Sequence, residues 1–246
     1  MSANGLPVDS FLMIGQSNMA GRGDIGTVEP ILDPDLLMLR NCRWQPLSEP
    51  VNPDRGVFSG KYRSGIGLAP EFAKKYLEFT GRRVGLIPCA DGGTSLDSWQ
   101  KGGPLYENAL FQTRMAMKIS TLRGILWHQG EADVTHPDRV ASYADRFVRM
   151  IADLFGDLGI DPVPVIAGEL GEYLKDRGES YSAVPEFNRN LRSVGERLPL
   201  FGVTSAAGLS CRPDILHFDA PSLRVFGDRY FDEYLRICAK MPGKGL

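Results

Sequence analysis

Phe11-Leu12-Met13-Ile14-Gly15 is a short apolar run that stops abruptly at Gln16-Ser17-Asn18. A run this short, closed by glycine and followed by polar residues, fits a strand covered on both faces of a parallel sheet. Four more runs read the same way, over residues 83–89, 124–127, 163–167 and 200–204. Around them, helical patterns cover residues 69–79, 105–120, 143–155, 185–197 and 222–240. In the third of these, Phe147, Met150, Ile151 and Leu154 form one apolar stripe and leave Asp145, Arg146 and Arg149 facing outward. Strands alternating with helices predict an α/β fold: a three-layer α/β/α sandwich with about five mostly parallel strands and right-handed crossovers.

No linker, repeat or low-complexity stretch interrupts the 246 residues, so one domain over 1–246 is expected. The Pro- and Gly-rich segment 24–67 is too long for a simple connection. Loops of that length are usually functional or disordered, and because this one follows Ser17 closely, one wall of a substrate cleft is the functional role expected of it.

The formal net charge of −2 gives no electrostatic footprint for nucleic acid or an anionic membrane. Cys42, Cys89, Cys211 and Cys238 are too scattered for a zinc site or a disulfide framework, and Cys89 and Cys238 read as small core residues. The start of the chain lacks the pattern of a secretory leader, so a cytoplasmic location is expected.

Ligands of open parallel sheets bind beyond the carboxyl ends of the strands. Gln16, Ser17 and Asn18 follow the first strand; Asp91, Gly92, Gly93, Thr94 and Ser95 the second; His128, Gln129, Gly130, Glu131 and Asp133 the third. A loop after the fifth leads to Asp214 and His217. A serine hydroxyl needs a base to become a nucleophile. Of the three histidines, His217 sits in Asp214-x-x-His217, a spacing that lets one turn present both side chains together. Each piece also has a plainer reading. Ser17 can cap a helix, Asp214 and His217 can stand in an ordinary loop, Gly92-Gly93 can be a tight turn, and Gln129 can be a buried amide. Met19 occupies the place of the second glycine in Gly-x-Ser-x-Gly, so the nucleophile elbow of α/β-hydrolases is not supported. His128, Glu131 and Asp133 make a conceivable ligand set that lacks a further ligand nearby, so no metal and no cofactor are expected. His136, before Pro137, reads as a surface residue.

Four segments together carry a resemblance: Gly15-Gln16-Ser17-Asn18-Met19-Ala20-Gly21-Arg22-Gly23, Gly92-Gly93-Thr94-Ser95, His128-Gln129-Gly130-Glu131-Ala132-Asp133 and Asp214-x-x-His217. In this order and spacing, over residues 11 to about 235, they resemble the sialate O-acetylesterase/acetylxylan esterase family, a carbohydrate-esterase branch of the SGNH hydrolases. The resemblance implies a flavodoxin-like domain in which Ser17 attacks an acetyl ester, His217 acts as base and then acid, and Asp214 orients it. It further implies an oxyanion hole made by the amides of Ser17 and Gly93 and the side chain of Gln129. Gln16, Asn18, Arg22, Thr94 and Glu131 are then candidates for binding substrate or supporting the site, with Glu131 inclined to support. The implied partner is a small or oligomeric carbohydrate bearing O-acetyl groups, such as acetylated sialic acid, xylan or a xylo-oligosaccharide.

Two rival functions remain at this stage. One is a lipase or thioesterase of the same superfamily, which would need an apolar lining in 24–67. Arg40, Arg43, Asp54, Arg55, Lys61 and Arg63 stand there among Trp44, Phe58 and Tyr62, a mixture better suited to a sugar. The other is a carbohydrate-binding protein without activity, against which all four filled segments argue.

Overall fold

A computed structural model describes residues 7–53 and 63–241. Its centre is a seven-stranded sheet in the order β3-β2-β4-β1-β5-β6-β7. The five expected strands are β1 (Val8–Gly15), β4 (Arg83–Pro88), β5 (Thr121–His128), β6 (Val165–Gly168) and β7 (Phe201–Thr204). They pair in parallel, with Phe11 of β1 opposite Leu86 on one side and Gly124 on the other.

Alternation along β1 sends Phe11 and Met13 to one face and Leu12 and Ile14 to the other. Phe11 and Met13 pack under α2 (Ala69–Thr80) and α6 (Ala220–Cys238), where Phe11 meets the ring of Phe72 edge-on at 4.8 Å. Leu12 and Ile14 pack under α3 (Pro104–Met117), α4 (Pro137–Leu158) and α5 (Val184–Ser193). The outcome is the expected three-layer arrangement. A four-residue helix, α1 (Ser17–Ala20), follows β1 directly. No helix among the described residues is long and apolar enough to cross a membrane.

The segment 24–67 departs from its reading as a loop. It supplies β2 (Leu36–Arg40) and β3 (Arg43–Pro46), which extend the sheet beyond β4. The hairpin turns on Asn41 and Cys42 at φ 51° and 58°, two successive left-handed residues as a type I′ connection requires. Trp44 therefore belongs to the sheet edge, its ring pressed onto Gly85, where an added Cβ would stand 2.5 Å from Cη2. Arg40 donates to the carbonyl of Pro50 at 2.8 Å and anchors the strand exit. Asp54, Arg55, Phe58, Lys61 and Tyr62 lie outside the described residues.

Near the amino end of β1, fully buried Asp9 accepts hydrogen bonds from Tyr76 Oη (2.8 Å), Arg82 Nε (2.5 Å) and Arg123 Nε (2.9 Å), tying β1 to α2 and β5. Burial raises the Asp9 carboxyl, but these donors outweigh it and hold the group below its ordinary value. Asp9 therefore stabilises the fold above the unfolded-state pKa of about 3.9, and that contribution is lost as pH falls through the lower folded-state value. Each arginine is 34% exposed, so Asp9→Asn is expected to cost about 2–3 kcal/mol rather than the ~3–5 of a fully buried pair. Thermal melts followed by circular dichroism should show a lower Tm at neutral pH, with the gap to wild type narrowing as pH falls from about 5 to about 3.

Candidate active site

The site is assembled where β1 and β5 end. Gly15 takes φ +126°, and a Cβ there would stand 2.2 Å from the carbonyl oxygen of His128. Only glycine allows that approach. It lets Gln16 N donate to the same carbonyl at 2.8 Å and brings residues 16–18 beside 128–133.

Ser17 opens α1, with Gln16 at the N-cap position, so its hydroxyl stands at the carboxyl edge of the sheet. His217 Nε2 lies 3.0 Å from Ser17 Oγ, and His217 Nδ1 lies 2.7 Å from Asp214 Oδ2. Asp214 Oδ1 accepts the backbone N–H groups of Leu216 (2.9 Å) and His217 (3.0 Å), closing the turn on itself. That turn forces Ile215 to φ 51°, a strained conformation for a β-branched residue. Burial pushes the Asp214 carboxyl up, while the hydrogen bonds from the His217 ring and the two amides more than offset it and leave it below the usual value. A carboxylate, an imidazole and a hydroxyl are thus joined in one hydrogen-bonded chain. Such a chain can withdraw the serine proton as the oxygen attacks, and the carboxylate can stabilise the imidazolium that forms.

The turn carrying His217 is held from outside by Asn18. Its Oδ1 accepts Phe218 N at 3.1 Å and its Nδ2 donates to the Leu216 carbonyl at 3.4 Å, so one side chain brackets His217 on both flanks. Asn18 Nδ2 also donates to Glu131 Oε1 at 2.5 Å. Glu131 is buried, with His128 Nε2 3.3 Å from the same oxygen. Burial raises the Glu131 carboxyl, but His128 and Asn18 outweigh it and keep the group below its ordinary value. Glu131 therefore supports the site through the side chain of Asn18. Tyr173 reaches the Leu216 carbonyl at 3.4 Å and Arg177 donates to the carbonyl of Asp214.

The turn after β4 supplies the opposite wall. A Cβ on Gly92 would stand 3.4 Å from Ser17 Cβ and 2.5 Å from Nη2 of Arg22, so both side chains press on that glycine. Gly93 takes φ +74°. The N–H groups of Ser17 and Gly93 donate to no acceptor among the described residues. Thr94 is a buttress: its hydroxyl donates to the Asp91 carbonyl at 2.7 Å and accepts Trp99 Nε1 at 3.1 Å.

The side chain of Gln129 is held on both ends of its amide. Its Nε2 carries two hydrogens and has three acceptors at hand: Asp133 Oδ2 at 2.6 Å, the Thr94 carbonyl at 3.1 Å and Gln16 Oε1 at 3.2 Å. Its Oε1 accepts from Tyr143 at 2.8 Å. Both ends of the amide are thus engaged by described residues. Asp133, itself fully buried, also accepts Leu96 N at 2.9 Å and Arg146 Nη2 at 3.2 Å. His128, Glu131 and Asp133 consequently do not converge as a ligand set, and among the described residues no group of three acidic, histidine or cysteine side chains is placed to hold a metal. His136 is exposed at the start of α4. Cys89 is buried, with its thiol pushed up to about 12 by burial, and Cys238 is half-buried.

His217 and Asp214 face a cleft of about 650 Å3 lined also by Arg22, Asp24, Arg63 and Arg212. Segment 24–67 contributes Asp24, Ile25 and residues 63–65 to this lining. Arg212, paired with Asp24 at 2.9 Å, had no sequence signal beyond its nearness to Asp214. Tyr143, Tyr173 and Arg177 likewise showed no sign of touching the site, since only the fold brings them there. A second cavity of about 540 Å3 lies at the other edge of the sheet, among apolar residues such as Phe155, Val163 and Leu200, far from this chemistry.

The sequence profile described as carbohydrate esterase, sialic acid-specific acetylesterase matches residues 7–236. The chain belongs to this family of carbohydrate esterases. A probable carbohydrate esterase of Arabidopsis thaliana is 34% identical over 251 residues, covering 93% of this chain and 91% of the relative. An X-ray structure of an Arabidopsis thaliana protein superposes with a TM-score of 0.83 at 27% identity, covering 94% of this chain and 98% of that one. The fold is shared with an acetyl xylan esterase from Geobacillus stearothermophilus, at TM-score 0.53 and 11% identity over 92% of this chain and 94% of that one. The family supports carboxylic ester hydrolysis as the activity class of this chain.

The Asn18 bracket gives the first prediction for the site. Asn18→Ala should leave the fold intact and lower kcat for ester hydrolysis by roughly 10- to 100-fold, because the turn bearing His217 loses both flanking contacts. Steady-state hydrolysis of p-nitrophenyl acetate, with Tm as the control, reads it directly.

Proposed function

We propose that this carbohydrate esterase removes O-acetyl groups from a sugar through an acyl-enzyme on Ser17. The observation that carries the reading is the Ser17–His217–Asp214 hydrogen-bonded chain, with links of 3.0 and 2.7 Å, beside the cleft. His217 Nε2 takes the proton as Ser17 Oγ adds to the acetyl carbonyl carbon. The tetrahedral intermediate then expels the sugar alcohol, which receives that proton from His217. Water, deprotonated by His217 in its turn, attacks the acetyl-serine, and His217 returns that proton to Ser17 Oγ as acetate leaves. The amides of Ser17 and Gly93, both without an acceptor among the described residues, are the donors proposed for the developing oxyanion. Asp214 keeps the imidazole in the tautomer with its proton on Nδ1.

A hydroxyl-rich substrate fits the cleft better than a long acyl chain. Arg22, Asp24, Arg63 and Arg212 supply charged hydrogen-bonding groups there, with Ile25 as an apolar residue beside them. Acetylated sialic acid, xylan and xylo-oligosaccharides are the substrates to compare.

Hydrolysis of p-nitrophenyl acetate should fall by roughly 10^5-fold or more in Ser17→Ala and His217→Ala, and by about 10^3- to 10^4-fold in Asp214→Ala. Turnover should also drop steeply from acetate to butyrate to octanoate esters. Rates unchanged in both Ser17→Ala and His217→Ala would sink the mechanism. A preference for octanoate would favour the lipase reading, and absence of ester turnover in the wild type would favour a binding protein.

A further inference from the structure

With the Gln129 amide engaged internally, the two backbone amides of Ser17 and Gly93 are the donors proposed so far for the oxyanion. The residue beside the nucleophile supplies a candidate. Gln16 is 3% exposed, and its side chain reaches from the end of β1 to the turn that follows β5. There its Oε1 is fixed by three donors: Gln129 Nε2 at 3.2 Å, Ala132 N at 3.3 Å and Gly130 N at 3.4 Å. The other half of the same amide, Nε2, donates to no described residue and is not sealed from solvent.

The two amides are therefore used in opposite ways. Gln129 spends its N–H groups on Asp133, Thr94 and Gln16, and its oxygen on Tyr143. Gln16 spends its oxygen on the protein and keeps its N–H pair. An oxygen pinned by three donors fixes the plane of a planar amide, so the free NH2 end is aimed rather than mobile. Ser17 is the next residue in the chain, and Gln129 Nε2, 3.2 Å from Gln16 Oε1, is 3.1 Å from the carbonyl of Thr94, which follows Gly93.

We propose that the Gln16 side-chain Nε2 is the third donor to the oxyanion, beside the amides of Ser17 and Gly93, with Gln129 as the residue that positions it. The assignment rests on the serine-esterase reading. Asp133, held by Leu96 N and Arg146, fixes Gln129; Gln129 with the amides of Gly130 and Ala132 fixes Gln16; Gln16 meets the negative charge that forms on the substrate carbonyl oxygen. No covalent step is added to the mechanism.

Gln16→Glu separates the two functions of the side chain, because it keeps an oxygen for the three anchoring donors and removes the N–H pair. Gln16→Met, uncharged and of similar length, removes both. Loss of one preorganised oxyanion donor lowers kcat by about 100- to 1000-fold. That loss is expected in both variants for p-nitrophenyl acetate, with KM within about threefold of wild type because the donor acts on the transition state. Phenylboronic acid, whose tetrahedral serine adduct places an oxygen in the same site, should bind more weakly by a comparable factor. A purely structural effect would lower Tm and leave the boronate affinity of the folded protein unchanged. Ser17-dependent turnover with kcat within about threefold of wild type in either folded variant overturns the Gln16 assignment alone. So does a kcat loss without any weakening of boronate binding. Turnover that survives Ser17→Ala, or none in the wild type, overturns the serine-esterase reading and this assignment with it.

Discussion

The backbones of β1 and β5 touch at Gly15 and His128, and that contact sets Ser17 beside the turn that follows β5. A side chain at position 15 would stand 2.2 Å from the His128 carbonyl oxygen, so the strands close only with glycine there. The approach lets Gln16 N bond the same carbonyl and sets Ser17 at the start of a short helix. It also brings residues 129–133 within reach of the side chains of Gln16 and Asn18. Widening that junction would separate the serine from the polar shell that organises its surroundings.

Two buried carboxylates organise that shell, each through a residue that flanks Ser17 in the chain, Asn18 or Gln16. Glu131 acts through Asn18 on the turn that presents His217. Asp133 acts through Gln129 on Gln16. They sit two residues apart on one turn but face different partners, so the surroundings of His217 and those of Gln16 are set by separate hydrogen-bond chains. Buried polar groups of this kind cost free energy unless their partners are present. Here the partners are the neighbours of Ser17 and of the turn bearing His217. The cleft is lined differently, by Asp24, Arg63 and Arg212 together with the buried Arg22.

Much of this was readable in the sequence because it follows from periodicity and from what stands after each strand. The five apolar runs are the five parallel strands, and the polar residues after them, Ser17 and His217 included, do meet at one edge. The β2–β3 hairpin was not readable. Its turn residues, Asn41 and Cys42, lack the glycine that usually marks a type I′ connection, and Pro and Gly around them suggested a loop. The direction of the glutamine amides was not readable either. Gln16 and Gln129 are chemically alike, and only the fold decides which turns its oxygen inward and which its nitrogen. Tyr143 explains half of that choice, and from sequence it is one more residue on the apolar stripe of a helix.

The most direct test of the account is covalent labelling of the nucleophile. Treatment with diethyl p-nitrophenyl phosphate, followed by peptide mapping in a mass spectrometer, should place one diethylphosphoryl group on Ser17. Its appearance should track the loss of esterase activity, and His217→Ala should resist labelling. Complete inactivation with Ser17 unmodified, the label lying on another residue, would contradict it.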